Sequence, residues 1–321
     1  MILKTGRETD GGSNDMRMYA TALVTAALAG LALPAAVSAT PAHHHGSTGP
    51  AFYANDGRGD LVRVTVTGGR AQVARLAFEP SPVWWRPFYL TPNSATGSWV
   101  VGTFRGDQHD TTDNSRLFAY NGTTRRVQWL TAWAAGNQSP VVDAAKVPDV
   151  YYVSGTTVRE VSTSAIGDHR IFTAPTGWQI TGLTVAGTAA PYVALTHNEG
   201  ASPLTATTEV EQLTSTPTVV VPITHGTVTA LALSPDGRSL AMSLVSPSGG
   251  STLSLRAVAH GGIHRTLPAV GNTTQMSWDT SGDTLAVNPQ QWGGTTLVNL
   301  TTAMTSYPSA LQPYGADVLI P

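Results

Sequence analysis

The chain has 321 residues, a formal net charge of −2 and 12% charged residues, about half the usual share for a soluble domain. This length is enough to bury a sizeable core, and the charge provides no basic surface for a nucleic-acid backbone. The chain contains no cysteine, which excludes disulfide bonds, thiolate chemistry and cysteine-ligated zinc.

The first element along the chain is a targeting segment. An apolar run at 19–33 follows Arg17 and ends at Pro34, and Val37-Ser-Ala39 has the small-x-small pattern that signal peptidase reads. The run is shorter than the roughly 20 residues that a bilayer span prefers. We therefore predict a cleaved signal peptide at 1–39, with an uncleaved anchor as the alternative, and a secreted or extracytoplasmic protein without membrane insertion after cleavage.

Residues 40–50 are predicted to be a flexible linker, because they are rich in Gly, Ser, Pro and Thr. Three adjacent histidines, His43, His44 and His45, leave weak divalent-metal binding as the alternative. From residue 51 to residue 321, short β-branched runs alternate with Gly, Pro, Asn and Asp turns, and no long segment has a 3.6-residue period. This pattern predicts one all-β domain.

The loop at 105–116 has the densest cluster of oxygen-bearing side chains. Asp107, Asp110 and Asp113 are spaced three residues apart, and calcium prefers several carboxylate oxygens on a flexible loop. The segment lacks the alternate-residue spacing and the final glutamate of the common calcium loop. We predict a solvated insertion without a cofactor, with Ca²⁺ bound by these three aspartates as the alternative.

Two segments, 231–242 and 276–287, repeat one pattern. Each has an apolar pair, a turn with a glycine (Gly237 or Gly282) and a following Leu-Ala pair, and therefore predicts strand, turn and strand. A period near 45 residues is typical of the blades of a β-propeller. Equivalent apolar anchors, 43 to 51 residues apart, are Phe52, Trp99, Val150, Val193, Leu240 and Leu285. Six anchors predict a six-bladed propeller, with seven blades as the alternative.

The first blade is incomplete in the sequence. No inner strand precedes Phe52, whereas residues 316–320 form a predicted strand that belongs to no blade. We predict that this C-terminal strand closes the ring as the innermost strand of the first blade. Closure of this kind removes the exposed edges of a ring of sheets.

Residues 233–241, Leu-Ser-Pro-Asp-Gly-Arg-Ser-Leu-Ala, resemble the WD40-like repeat of TolB-type β-propellers, in which such a turn joins the two inner strands of a blade. Pro235, Asp236 and Gly237 suit a tight turn, whereas the unit at 276–287 matches the repeat only in part. The resemblance implies a secreted bacterial propeller with an extracytoplasmic protein-binding or ligand-binding role. It carries no catalytic residues over.

That turn marks one rim of the ring, so loops between second and third strands and loops between blades are expected at the other rim. Five of the eight tryptophans map to these loops, where aromatic rings offer stacking surfaces for a ligand; the alternative is that they wedge between blades. The remaining three, Trp99, Trp129 and Trp278, are predicted to be core. The predicted ligand-binding residues are Trp84, Trp85, Arg86, Trp133, Trp178, His197, Asn198 and Trp292.

No nucleophile elbow of the Gly-x-Ser-x-Gly type is present. The sequence favours a monomeric, non-catalytic propeller that binds a protein, a peptide or a cell-envelope glycan, and no nucleic acid. Two alternatives stay open: a calcium-containing propeller hydrolase or lyase at Asp107, Asp110 and Asp113, and a scaffold in an envelope complex.

Overall fold

A computed structural model describes residues 51–55, 61–67, 70–77, 90–92, 99–105, 114–135, 137–142, 149–163, 167–186, 190–198, 205–268, 270–289 and 294–308. All of them belong to one unit, Ser47–Pro321. The signal peptide, the linker and the closing strand at 316–320 lie outside these residues and stay predictions.

The described residues form six antiparallel sheets. Sheet A contains β1 (Ala51–Asn55), β2 (Leu61–Thr67) and β3 (Arg70–Ala77), and sheet B contains β4 (Leu90–Pro92), β5 (Trp99–Arg105), β6 (Asn114–Asn121), β7 (Arg126–Trp129) and β8 (Ala134–Ala135). Sheet C contains β9 (Asn137–Val142), β10 (Asp149–Ser154), β11 (Thr157–Ser162) and β12 (Asp168–Thr173), and sheet D contains β13 (Trp178–Thr184), β14 (Tyr192–Asn198), β15 (Ala206–Gln212) and β16 (Thr218–His225). Sheet E contains β17 (Thr227–Leu233), β18 (Ser239–Val245), β19 (Ser251–Ala257) and β20 (Ile263–Leu267), and sheet F contains β21 (Thr273–Trp278), β22 (Thr284–Pro289), β23 (Thr296–Asn299) and β24 (Thr305–Ser306).

Strands within each sheet pair in chain order, so that each sheet is an up-and-down meander. The first strands of sheets B to F adjoin one another in sequence, from β4 through β9, β13 and β17 to β21. These are the inner strands of the arrangement. Within the described ranges, no helix is long and apolar enough to cross a membrane.

Among the described residues, six buried apolar clusters join the sheets, and each cluster combines residues of two neighbouring sheets. The cluster that completes the series joins the first sheet to the last, because Phe52 and Val64 of sheet A pack with Ala286 and Leu297 of sheet F. The sheets therefore close into a ring, which confirms the predicted all-β propeller. Six sheets lie in the described part of the chain, and the total number of blades stays a prediction.

The anchor positions found from the repeat lie in the second strands of the blades, and β1 carries the anchor of sheet A. Five of these anchors have no exposed surface: Phe52, Val150, Val193, Leu240 and Leu285. The predicted anchor Trp99 lies one residue before the equivalent position in sheet B, which is Val100. Val100, at 1% exposure, pairs with the end of β4 just as Val150 pairs with the end of β9, whereas Trp99 begins β5 and is half-buried.

The turn between β17 and β18 has the chemistry that the sequence predicts. The N–H of Gly237 donates to the carbonyl of Ser234 at 2.8 Å, and Gly237 has a φ of +70°, a conformation that favours glycine. The Asp236 carboxylate accepts hydrogen bonds from the Ser234 hydroxyl at 2.5 Å and from the N–H of Arg238 at 3.0 Å. One carboxylate thus closes the turn from both sides.

The partial repeat at 276–287 forms an equivalent turn between β21 and β22, with a different hydrogen-bond acceptor. Gly282 again has a positive φ, +78°, but here Asp279 at the start of the turn accepts the N–H groups of Asp283 and Thr284 at 3.0 and 3.1 Å. The backbone geometry is kept while the carboxylate moves to another position in the turn. This exchange explains why the repeat is clearer in the structure than in the sequence.

We expect Asp236→Ala to lower the free energy of unfolding at neutral pH. The same substitution should make this free energy depend less on pH in the acid range. Hydrogen bonds from Ser234 and the Arg238 amide hold the pKa of Asp236 below its ordinary value of 3.8. A carboxylate with a lowered folded-state pKa stabilises the fold fully above the unfolded-chain pKa, and this contribution is lost as pH falls through the folded value.

Urea unfolding at neutral pH and at acid pH measures this contribution. We expect the wild type to exceed the variant by about 0.5–1 kcal/mol at neutral pH, since the group is exposed and screened by solvent, and by less toward about pH 2. An unchanged difference at both pH values would contradict the role of the carboxylate.

Candidate functional site

Strand pairing assigns the side chains of the candidate site to one rim. The turns 234–238 and 279–283 connect the ends of inner strands to second strands and define one rim. At the opposite rim, which we call the first rim, Trp178 at the start of β13 pairs with His197 near the end of β14. The structure therefore brings the predicted residues Trp178, His197 and Asn198 together at the first rim.

Trp178 and His197 stack on each other at the corner of sheet D. Their ring centroids are 5.2 Å apart at an interplanar angle of 36°. The N–H of Trp178 donates to the carbonyl of Pro175 at 3.0 Å, which closes a turn whose Gly177 has a φ of +87°. A Cβ on Gly177 would lie 3.0 Å from Nε2 of His197, so the absence of a side chain at Gly177 leaves room for the imidazole ring. Both rings are half-buried, and Asn198 beside them is exposed.

A chain of hydroxyl groups crosses sheet D behind this corner. Thr181 and Thr196 are joined by a hydrogen bond of 2.9 Å, and Thr196 and Thr208 by one of 2.8 Å. The Thr208 hydroxyl then donates to the carbonyl of Gly226 at 2.7 Å. Because buried hydroxyls need partners, this chain fixes the end of β14 that carries His197.

The second group of side chains at the first rim is an aromatic–arginine cluster in sheet B, formed by Phe104, Arg116, Trp129 and Trp133. The Cζ atom of Arg116 lies 3.2 Å from the ring centroid of Trp129 and 4.6 Å from that of Trp133. Phe104 packs edge-on against Trp129 with ring centroids 5.5 Å apart. Cation–π attraction of this kind contributes about 0.5–1 kcal/mol at exposed sites and more when desolvated.

A break in the outer strand positions both indoles beside Arg116. β7 and β8 each pair with β6, at opposite ends, and residues 130–133 lie between them. The N–H of Leu130 donates to the carbonyl of Leu117 at 2.9 Å, and the N–H of Leu117 donates to the Thr131 hydroxyl at 2.9 Å. The threonine side chain thus replaces a backbone acceptor and fixes the break.

The aromatic side chains of the cluster differ in how much of their surface is exposed. Phe104 is 6% exposed and forms the base, whereas Trp129 is 38% and Trp133 45% exposed. The prediction that Trp129 is core is therefore wrong. Its strand assignment is right, but β7 is the outer strand of sheet B, where a strand position does not imply burial.

Arg116 and Phe104 were not among the site residues predicted from the sequence. An available signal was the alternation in β6, since Phe118 and Tyr120, two and four residues beyond Arg116, share one apolar cluster. The other predicted tryptophans differ in outcome. Trp278 is core, with 8% exposure and its Nε1–H donating to the carbonyl of Ala232 at 3.1 Å, and Trp99 packs at the margin of a buried cluster.

The remaining predicted site residues lie outside the described ranges. They are Trp84, Trp85, Arg86 and Trp292 for the ligand, and Asp107, Asp110 and Asp113 for calcium. Among the residues that the structure describes, no group of three or more His, Asp or Glu side chains could hold a metal ion. Calcium binding by the 105–116 loop, and the hydrolase or lyase alternative that depends on it, rest on the sequence alone.

A buried tyrosine in sheet C has its own acidic partner. The Tyr152 hydroxyl donates to Oδ2 of Asp168 at 2.5 Å, and Nε of Arg159 donates to Oδ1 of the same carboxylate at 2.8 Å. Burial, together with the Asp168 carboxylate, raises the pKa of Tyr152 well above its ordinary value. Perturbed groups of this kind can mark functional sites, but here each group is satisfied by a neighbour in the sheet, which fits a structural role.

The ring of sheets and its rim sites define the chain as a β-propeller protein. No protein family matches the sequence, and no curated protein matches it. Solved structures do match. A chain of the nidogen/laminin complex is 10% identical, with 85% of this chain and 98% of that chain covered and a TM-score of 0.60.

Two bacterial structures are similar as well. TolB from Acinetobacter baumannii is 9% identical over 81% of this chain and 63% of its own, with a TM-score of 0.53. An oligogalacturonate lyase from Vibrio parahaemolyticus is 10% identical over 77% of this chain and 73% of its own, with a TM-score of 0.54. At identities this low the similarity shows the propeller fold, and the function has to be argued from the site itself.

Proposed function

We propose that this propeller binds a protein, a peptide or a glycan through the first rim, without chemistry. The observation that carries the proposal is the aromatic–arginine cluster, in which two indoles that remain 38% and 45% exposed are held against one guanidinium group. Large exposed aromatic rings with a polar partner are typical of binding surfaces.

The cluster suits binding because its rings are ordered in advance. Arg116 lies against both Trp129 and Trp133, and Phe104 supports Trp129 from below. A ligand that stacks on these rings loses less conformational entropy than one that must order free side chains. The indole faces accept apolar faces of sugars or peptide side chains, and the guanidinium can donate to carbonyl or carboxylate oxygens.

The sheet D corner adds polar groups to the same rim. Asn198 is exposed, and the half-buried His197 is fixed by its stack with Trp178. Amide and imidazole groups provide donors and acceptors, which give orientation and specificity to a binding surface. We propose these residues, together with Trp84, Trp85, Arg86 and Trp292, as further ligand contacts, in a protein that is secreted after signal cleavage and acts as a monomer.

We expect Trp133→Ala to weaken ligand binding about tenfold or more, since removal of one stacking ring from a binding centre costs about 1–2 kcal/mol or more. The measurement is a tryptophan-fluorescence titration with cell-wall fragments, soluble glycans and peptides. Trp133→Phe keeps an aromatic face and should retain much of the affinity.

Met304→Ala is the control, because Met304 is 69% exposed and lies in the turn between β23 and β24, at the rim opposite the first rim. Its affinity should equal that of the wild type. The proposal fails if no ligand in the panel binds the wild type, if Trp133→Ala binds as well as the wild type, or if Met304→Ala loses as much affinity.

A further inference from the structure

We propose a second ligand site, in the cavity between sheets A and B, that binds a small organic anion with two or more carboxylate or phosphate groups. It is separate from the aromatic–arginine cluster and does not depend on the function proposed for the first rim.

The cavity has the size of a small-molecule site. Its volume is about 320 Å³, within the range of ligand pockets. Both sheets contribute to its wall, so the cavity exists only where two blades meet. The lining residues are Tyr53, Arg63, Ala74, Arg75, Leu76, Tyr120, Gly122 and Arg125.

The charge of the cavity sets the class of ligand. Two lining arginines lie on the side of the buried tyrosines: Arg63 pairs with Tyr53, and the charge of Arg125 acts on Tyr120. Arg75 pairs with Val62 and therefore faces sheet F, so it lines the cavity with its backbone. None of the described residues that line the cavity is acidic. The whole chain has a net charge of −2, so this concentration of positive charge is local. The planar guanidinium fork matches carboxylate and phosphate oxygens in two-point hydrogen bonds, and two such groups suit an anion with two charged groups.

Two buried tyrosines provide neutral donors in the same cavity. Tyr53 is 7% and Tyr120 1% exposed, and both belong to the apolar cluster between sheets A and B. Burial raises the pKa of Tyr120 above its ordinary value, although the charge of Arg125 acts in the opposite direction. Its hydroxyl therefore stays protonated at neutral pH and can donate to an oxyanion, while Leu76 of the same cluster offers a surface for a hydrocarbon part.

Arg125 lies in the turn between β6 and β7, and its backbone conformation is unusual for an arginine. Arg125 has a φ of +55°, a left-handed conformation that is costly for residues other than glycine. In sheet E, the turn between the third and fourth strands carries Gly261 in this conformation, at +63°. The equivalent turn of sheet F has Ala303 in the same conformation, at +58°, so this backbone conformation belongs to the turn and carries no argument for a ligand.

The test is calorimetric titration of the full chain with two probes, citrate for carboxylates and inorganic pyrophosphate for phosphates, at constant ionic strength. We expect saturable binding of at least one probe, and the probe that binds identifies the anion class. Arg125→Gly should weaken binding about tenfold or more, since hydrogen bonds to charged groups are strong, while the glycine fits the turn without loss of stability. Tyr120→Phe should weaken binding about fivefold.

Arg126→Gln is the matched control, because Arg126 is the adjacent exposed arginine and does not line the cavity. It should change the affinity less than about twofold, and Trp133→Ala should leave anion binding unchanged. If Arg125→Gly does not fold, Arg63→Gln serves in its place. The proposal is overturned if neither probe saturates, or if Arg126→Gln weakens binding as much as the cavity variant.

Discussion

Gly226→Ala should destabilise the propeller by about 3–4 kcal/mol, because it combines backbone strain with a steric clash. Gly226 links β16 to β17 with a φ of +121°, and a Cβ there would lie 2.5 Å from the carbonyl oxygen of Val245 in β18. The link cannot shift freely. Its N–H donates to the carbonyl of Ala206 and its carbonyl accepts the Thr208 hydroxyl, each at 2.7 Å.

Equilibrium unfolding in urea measures this loss, and Gly249→Ala separates its two causes. Gly249 also has a positive φ, +84°, but a Cβ there meets no atom within 4 Å. We expect the Gly249 variant to lose only about 1–2 kcal/mol, from the left-handed conformation alone. Equal losses in the two variants would show that the approach of Val245 to Gly226 is not a constraint.

Trp278→Ala should cost about 3–5 kcal/mol, the usual range for removal of a large buried aromatic side chain. Trp278 is 8% exposed within the cluster that joins sheets E and F. Its Nε1–H also donates to the carbonyl of Ala232 across the two sheets at 3.1 Å. The substitution would leave a cavity between blades and remove the hydrogen bond from the indole to the carbonyl of Ala232.

Thermal or urea unfolding tests this result, with two comparisons. Trp278→Phe keeps an aromatic ring but loses the donor and part of the buried volume, so we expect a smaller loss of about 1–2 kcal/mol. Trp133→Ala removes the same side chain from the surface, where Trp133 is 45% exposed, and should cost less than about 1 kcal/mol. If Trp278→Ala were no more harmful than Trp133→Ala, the structural role of the buried indole would be wrong.

The elements that the sequence predicted well depend on local chemistry. The turn at Ser234–Arg238 and the anchors Leu240 and Leu285 follow from residue types a few positions apart, and the structure confirms both. Rim assignment then follows from strand connectivity, which is why Trp178 and His197 could be expected at one edge.

The contacts of the aromatic–arginine cluster could not be predicted in the same way. They depend on the break between β7 and β8, which a side chain of Thr131 stabilises by replacing a backbone acceptor. The anion cavity depends on packing between two blades, and Arg63 and Arg125 are far apart in the chain. A period of 45 residues predicts neither, because each depends on side-chain contacts between distant residues and not on the repeated strand pattern.

The packing of the first sheet against the last has a consequence for how the chain folds during synthesis. Phe52 of sheet A is covered by Ala286 and Leu297 of sheet F, so its partners are translated only when almost all of the domain has already been made. Contacts between such distant parts of a chain form slowly, and apolar surface that waits for its partner is prone to aggregation. In a nascent chain, one face of sheet A therefore stays exposed until sheet F has been made. A chaperone that recognises this face would have more time to bind it than to bind any other blade face.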